Sequence, residues 1–389
     1  MKDFVFKMPT RVHFGVGAVR KLPEICKGLG GKKLFIITGP NVAKSSAMAA
    51  VREALGSAGT EYEVYAGSVP DPPIEAVDAV TRIFAESGAN MIVALGGGSP
   101  IDLAKAAAML STNGGSVADY LFGGTKTVAK PSVPLIAIPT TAGTGSEVTA
   151  ASVITDTKNR IKLSVTHDYV IPKAALIDPQ LQADTPALVT ASTGMDALTH
   201  AIESYVSLNA NPISDAMGIY AMRMIGENLR IAVADGGNME ARANMAVASL
   251  IAGVAFMNGG LGVVHGIAQA MGGIHHTPHG IANGVMLPYA MKRNLPGNFK
   301  KFGDIARALG KDTGGLPARD AARLSVDAVA ELRMDIKVPR SLGDIGIEEK
   351  DFQGIIDATM PFRLLALNPC KLAESDVEGI LRQALRAPI

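Results

Sequence analysis

Asn258 to Gly284 reads NGGLGVVHGIAQAMGGIHHTPHGIANG and holds four of the seven histidines in the chain, His265, His275, His276 and His279. Upstream, GMDALTH sets Asp196 and His200 four residues apart. Residues i and i+4 share one helix face, so this carboxylate and imidazole can grip one ion. His265 and His279 can close the shell from two further segments. One Asp with three His suits Fe(II) or Zn(II) better than Ca or Mg, and lacks the thiolates of a structural zinc site. Plain readings stay open on spacing alone: D-x-x-x-H occurs as a surface pair, and a histidine in an apolar helix as a satisfied core residue.

The stretch leading into these histidines sets the fold of the second half. Ala243 to Val264 carries no charged residue and approaches membrane-spanning length. Asn244, Ser249, Asn258 and Gly259-Gly260 interrupt it, and it runs straight into the candidate ligands. It reads as a buried helix of a helical domain. Helices are expected at about 195–207, 213–232, 239–257 and 263–272, separated by NANP, DGG and NGG. Thr185-Pro186 reads as a helix start, with Thr as N-cap and Pro at the first helical position. Ser375-x-x-Glu378 has capping-box spacing for the last helix.

The first half follows a different rule. Apolar runs at Leu34–Thr38, Tyr62–Ala66, Met91–Leu95 and Leu135–Ile138 read as strands. Amphipathic segments at 43–55, 74–86 and 101–110 read as helices. That alternation predicts a parallel sheet with helices on both faces. Further strands are expected at Ser152–Thr155, Ile161–Val165 and Ala175–Ile177. The fold class is thus an N-terminal α/β domain with a parallel sheet, residues 1–180, and an all-α C-terminal domain, residues 181–389.

Composition narrows the function. With 37 basic against 36 acidic residues, no charge footprint points to nucleic acid or an acidic membrane surface. Cys26 and Cys370 stand in no motif, which fits a reducing cytoplasm and excludes a disulfide scaffold. MKDFVFKMPTR has no apolar core long enough for a signal peptide, so a cytoplasmic location is expected.

Two loops suit a dinucleotide. Gly96-Gly97-Gly98-Ser99 follows strand MIVAL and opens a helix, where glycines admit a pyrophosphate and the helix N-terminus favours its charge. Such a run also serves as a plain strand–helix turn. Pro139 to Ser146, PTTAGTGS, follows the next strand and is dense in hydroxyls and backbone donors. Two such loops at neighbouring strand ends predict a dinucleotide crevice.

GMDALTHAIESY, AGVAFMNGGLGVVH, PHGIANGVMLP, GGGSPIDLAKA and PTTAGTGSEVT together resemble the iron-containing alcohol dehydrogenase family, in order and over nearly the whole chain. The resemblance implies a dinucleotide-binding N-terminal domain, a metal-binding helical domain and an active site between them. It implies Asp196, His200, His265 and His279 as ligands of one divalent ion, Fe(II) first and Zn(II) as runner-up. It implies Gly97, Gly98, Ser99, Thr140, Thr141 and Thr144 as residues at the pyrophosphate and nicotinamide ribose, followed by Asp71 and Lys162. The implied reaction is NAD(P)-dependent, reversible oxidation of a small primary alcohol or diol to the aldehyde. Ethanol, butanol, the propanediols and lactaldehyde-type substrates all stay open, since they differ by a few pocket contacts. A homodimer or larger even homo-oligomer is the family habit.

Two positions depart from the pattern. Family members that prefer NAD often carry Asp where this chain has Gly39, in Thr38-Gly39-Pro40-Asn41 with Lys44 behind. Nothing there repels a 2′-phosphate, which favours NADP somewhat; a turn glycine with NAD bound stays open. Many relatives also carry a second histidine one turn after the ligand corresponding to His265, where this chain has Gln269. Gln269 is read as positioning substrate or a water, or as packing only. Glu203, two turns after Asp196, is read either as orienting a ligating imidazole or as a solvated helix carboxylate. Phe256, Leu261 and His276 are candidate pocket residues, with core packing or a surface loop as the plain reading, and His275 shares the loop. His13 and His167 receive no role. A dehydroquinate-synthase-like lyase would need Lys and Arg to grip an acidic substrate; Leu250 to Gly273 has no basic residue except His265. A non-catalytic metal-binding relative would not need both nucleotide loops intact.

Overall fold

The runs Leu34–Thr38, Met91–Leu95 and Leu135–Ile138 become strands because every side chain in them is buried on one face of a sheet or the other, while Tyr62–Ala66 supplies an edge strand that is only partly covered. The computed structural model describes residues 3–386. Residues 8–185 form one compact unit; residues from 186 onward, with residues 3–7, form the other.

In the N-terminal unit the order is β1 (Arg11–Phe14), α1 (Leu22–Gly28), β2 (Lys33–Thr38), α2 (Ser46–Ser57), β3 (Glu61–Tyr65), α3 (Ile74–Ser87), β4 (Met91–Gly96), α4 (Gly98–Asn113), β5 (Leu135–Pro139), β6 (Ala151–Asp156), β7 (Ile161–Thr166) and β8 (Ala174–Ile177). Six strands form a parallel sheet in the order β1-β8-β5-β4-β2-β3. Successive side chains alternate between faces. Phe35, Ile37, Ile92 and Ala94 share a core with α3 and α4, while Leu34, Ile36, Met91 and Val93 share one with α1 and α2. Chain order runs outward in opposite directions from β2 and β4, so their carboxyl ends flank a switch point.

Several local expectations need correction. β6 and β7 pair as an antiparallel hairpin outside the parallel sheet, and Thr155 of β6 adds an isolated bridge to Pro73. β1 had no counterpart in the sequence reading, because RVHF is short and lies at an edge, where burial is incomplete. The helix expected at 43–55 is split by Ser45, which is extended. The helix expected from 101 starts at Gly98, since Pro100 sits in a first turn whose N–H groups need no intrahelical acceptor.

The C-terminal unit is helical: α5 (Ala187–Val206), α6 (Pro212–Ala234), α7 (Met239–Gly259), α8 (Val263–His275), α9 (His279–Asn294), α10 (Phe299–Ala308), α11 (Ala318–Asp335), α12 (Phe352–Thr359) and α13 (Glu374–Arg386). α5, α6 and α7 pack on one another. The uncharged stretch is not one span: α7 and α8 meet at a bend of 103°, and no single described helix is long and apolar enough to cross a membrane. Neither sequence-read cap forms as expected. Thr185 donates its hydroxyl to the Thr140 carbonyl, and α5 starts after Pro186. Ser375 lies inside α13, and the Ala373 N–H instead donates to Asp376, three residues on.

The segment after β1 is fastened from the far end of the same unit. Asp178 is fully buried and accepts the backbone N–H groups of Gly17 at 3.0 Å, Val19 at 3.0 Å and Gln180 at 3.1 Å. Asp178→Ala strips all three amides of their acceptor and is expected to cost about 3 kcal/mol. The expected result is a lower urea midpoint with an unchanged slope; an unchanged midpoint would refute the role.

Candidate metal centre and dinucleotide loops

Asp196 and His200 lie one turn apart on α5, both buried. His265 sits in the first turn of α8, and His279 is the first residue of α9. α8 ends at His275 and is capped by His276, which is in the left-handed region and exposed, and Thr277-Pro278 turns the chain into α9. α9 then meets α5 so closely that a Cβ on Gly280 would lie 2.3 Å from the Ser192 carbonyl oxygen. Only glycine permits that approach, which carries the neighbouring His279 to Asp196.

Asp196 Oδ1 lies 3.9 Å from His200 Nε2, 3.8 Å from His265 Nε2 and 3.6 Å from His279 Nε2. Neighbouring ligands of a tetrahedral ion with bonds near 2.1 Å stand roughly 3.4 Å apart, so small shifts would close this shell. Candidate ligand atoms of Asp196, His265 and His279 all lie within 4.8 Å of one another. His200 stands beside that group. Its ring stacks on Phe256 at 4.3 Å and on His265 at 4.5 Å. Burial acts to raise the Asp196 pKa, but the imidazoles of His200, His279 and His265 and a hydrogen bond from Asn283 outweigh it and hold the carboxyl below its usual range.

Two further residues complete the arrangement. Glu203 is buried, not solvated. Its Oε2 lies 2.7 Å from His265 Nδ1 and accepts the Gly262 N–H, and its Oε1 accepts the Val264 N–H. One carboxylate thus caps α8 and keeps the proton on His265 Nδ1, leaving Nε2 as the donor to an ion. Asn283 was missed by the sequence reading. It is fully buried, and its Nδ2 donates to Asp196 Oδ1 at 2.6 Å, lying 3.2 Å from His279 Nε2 and 3.4 Å from His265 Nε2. Its Oδ1 has no hydrogen-bond partner. The signal was present: Asn283 follows His279 by four residues, the spacing that singled out Asp196 and His200. A carboxylate, three imidazoles and an orphaned amide oxygen, nearly all buried, fit a borderline divalent cation.

Of the other candidates, Leu261 is buried and adjoins the α7–α8 bend, and Gln269 is half-buried one turn after His265 on α8. His275 is drawn toward Asp351, 3.9 Å away.

Most of the cofactor candidates gather at the carboxyl ends of β2 to β5. Gly97 and Gly98 open α4, and a Cβ on Gly98 would lie 2.8 Å from Thr144 Cγ2, one on Gly97 3.2 Å from Thr141 Oγ1. Thr140 donates its N–H to the Gly96 carbonyl, which ties the two loops together. Asp71, at φ 52°, donates its N–H to Ser99 Oγ and pairs with Lys162 at 2.7 Å. Gly39 follows β2, and a Cβ there would lie 3.2 Å from the Ser68 carbonyl oxygen. Free N–H groups at a helix N-terminus beside clustered hydroxyls suit a pyrophosphate.

Residues 9–179 match the family model described as iron-containing alcohol dehydrogenase, and residues 190–385 match the C-terminal model of the Fe-containing alcohol dehydrogenase family. The chain is 41% identical to 1,3-propanediol dehydrogenase of Citrobacter freundii, over 98% of each chain. It is 37% identical to NAD-dependent methanol dehydrogenase of Bacillus methanolicus, over 98% of this chain and 99% of that one. A crystal structure of 1,3-propanediol oxidoreductase superposes with a TM-score of 0.96 at 39% identity, covering 99% of this chain and 100% of that one. The chain therefore belongs to the iron-containing alcohol dehydrogenase family and is an oxidoreductase of alcohols.

Proposed function

We propose that this enzyme interconverts a small primary alcohol or diol and its aldehyde, with one divalent iron held by Asp196, His200, His265 and His279. The observation that carries the reading is the convergence of three imidazole Nε2 atoms on Asp196 Oδ1 within 3.6–3.9 Å. When bound, the metal supplies Lewis acidity at the alcohol oxygen, and NAD(P) takes or returns the hydride. The residues supply geometry and dryness. Glu203 fixes the His265 tautomer, Phe256 holds the His200 ring plane, and Asn283 steadies the Asp196 carboxylate. His279 is the most exposed of the four, with 30% of its side chain accessible, and marks the open side of the shell. The 1,3-propanediol relatives favour a three-carbon diol as the first substrate to try.

The N-terminal unit would bind the dinucleotide through Gly97, Gly98, Ser99, Thr140, Thr141 and Thr144, with Asp71 and Lys162 alongside. Gly39 presents no carboxylate to a 2′-phosphate, so NADP(H) should serve at least as well as NAD(H). A cytoplasmic, even-numbered homo-oligomer completes the proposal.

The direct test follows absorbance at 340 nm with 1,3-propanediol and either dinucleotide. Chelator treatment and His265→Ala should each remove metal and activity together, and Fe(II) should restore the chelated native protein only. Full activity without metal would sink the metal reading. A preference for NAD beyond about tenfold in kcat/KM, ~1.4 kcal/mol, would sink the cofactor reading.

Glu203→Gln tests the buried carboxylate. The amide leaves the shape and removes the anion at His265 Nδ1. Metal affinity, measured by chelator competition, should fall roughly 10–100-fold. An unchanged affinity would assign Glu203 to α8 capping alone.

Gln269 cannot titrate near neutral pH. The proton would leave through water, the cofactor ribose or the exposed His276. Gln269→His should keep fold and metal while its pH–rate profile gains or shifts an ionisation near pH ~6–8. Unchanged profile, kcat and KM would place this position outside the proton path.

A further inference from the structure

The N-terminal unit buries a cation that touches none of the proposed cofactor residues. Lys105 on α4 has 0% exposure, and its Nζ donates to Ser146 Oγ at 2.9 Å, Thr149 Oγ1 at 3.1 Å and the Ala151 carbonyl at 2.9 Å. All three ammonium protons are used. Asp102, one turn earlier, accepts the Ser146 hydroxyl at 2.5 Å and the Val153 N–H at 3.1 Å. Ser146 in turn donates its N–H to Thr144 Oγ1 at 3.2 Å. Thr144 packs where a Cβ on Gly98 would stand. The hydroxyl-rich loop is thus gripped by α4 at two points: Gly98 at the helix start and the Asp102–Lys105 pair one to two turns on.

We propose that Lys105 is a positioning residue for the dinucleotide: its ammonium ties Ser146, Thr149 and Ala151 to α4, holds Thr144 against the glycine loop, and thereby sets cofactor affinity. The inference rests on the proposed use of these loops by NAD(P). Two acidic groups face the ammonium, Asp102 from α4 and Glu147 from the short turn before β6, and Asp71 acts on Asp102. Burial pushes Lys105 down to about 8, against the pull of Asp102 and then Glu147. Burial pushes the Asp102 and Glu147 carboxyls up, against the pull of Lys105. The ammonium therefore loses its proton at mildly alkaline pH, and with it one of its three donors.

The experiment measures the Kd of the metal-loaded enzyme for NADPH, with NADH in parallel, by cofactor fluorescence from pH ~6.5 to ~9.5. The native Kd should be flat up to about pH 8 and climb several-fold above it. Lys105→Met should bind at least about tenfold more weakly at pH ~7, lose that alkaline rise, and keep kcat at saturating cofactor within about twofold. Thr149→Val keeps the cation and removes one acceptor; a Kd increase of about two- to fivefold is expected. If Lys105→Met binds like the native enzyme with the same pH profile, or loses kcat at unchanged Kd, the inference is wrong. If Lys105→Met does not fold, an unchanged Kd in Thr149→Val overturns it. Gly98→Val separates the two levels. Native affinity in Gly98→Val would remove the loop assignment and this inference with it. Abolished binding there, beside native behaviour of Lys105→Met, would remove the Lys105 role alone.

Discussion

A carboxylate at Asp196, only 2% exposed inside a helical unit, is the constraint on which the rest of that unit depends. An isolated buried anion is costly enough that it neutralises or recruits partners. Here partners come from three helices. His200 arrives from the same face of α5, His265 from the start of α8, and His279 and Asn283 from the first turns of α9. Each arrival needs its own device. α8 starts where it does because Glu203 accepts the N–H groups of its cap residue Gly262 and of Val264, and α9 reaches α5 because position 280 has no side chain.

Much of this was legible in the sequence, for a physical reason. Strands buried on both faces must be continuously apolar, so LFIIT, MIVAL and LIAI could hardly be read otherwise. A helix surrounded by protein loses its polar face, which is why α7 carries no charge over most of its length. Ligands one turn apart are visible as i, i+4 pairs. What escaped notice was set by partners distant in sequence. Glu203 read equally well as a surface carboxylate until α8 was seen folded over it. Ser375 looked like a cap because of Glu378, but the chain entered the helix two residues earlier, at Ala373. β6 and β7 read as strands, yet nothing in an apolar run says which sheet it joins.

The two units solve one problem in two ways. Around Asp196 the buried charge faces groups suited to hold an exchangeable ion. Around Lys105 the charge is consumed internally: three oxygens on the ammonium, with Asp102 and Glu147 of opposite sign close by. The first arrangement gathers imidazole and carboxylate donors of the kind that bind a cation; the second spends all three ammonium protons on the protein's own oxygens, which suits a brace and not a binding site. A satisfied polar network fixes geometry more uniquely than apolar packing, at some loss of stability.

Proton linkage separates the brace's effect on stability from its effect on cofactor binding. Lys105 falls from an ordinary 10.5 to about 8 in the folded protein. Between those values the unfolded chain binds the proton and the folded one does not, so this group's contribution to stability rises with pH across that window. Below about pH 8 both states are protonated and the penalty for burying the ammonium is fully present. That penalty is offset at neutral pH by the three oxygens on the ammonium and by Asp102 and Glu147, which would be buried without a counter-charge if it were absent. The proposed positioning role has the opposite sign, because the grip on Ser146, Thr149 and Ala151 is strongest where the ammonium is charged. Stability and cofactor affinity should then move in opposite directions as pH climbs through about 8. A merely structural lysine would move only the first.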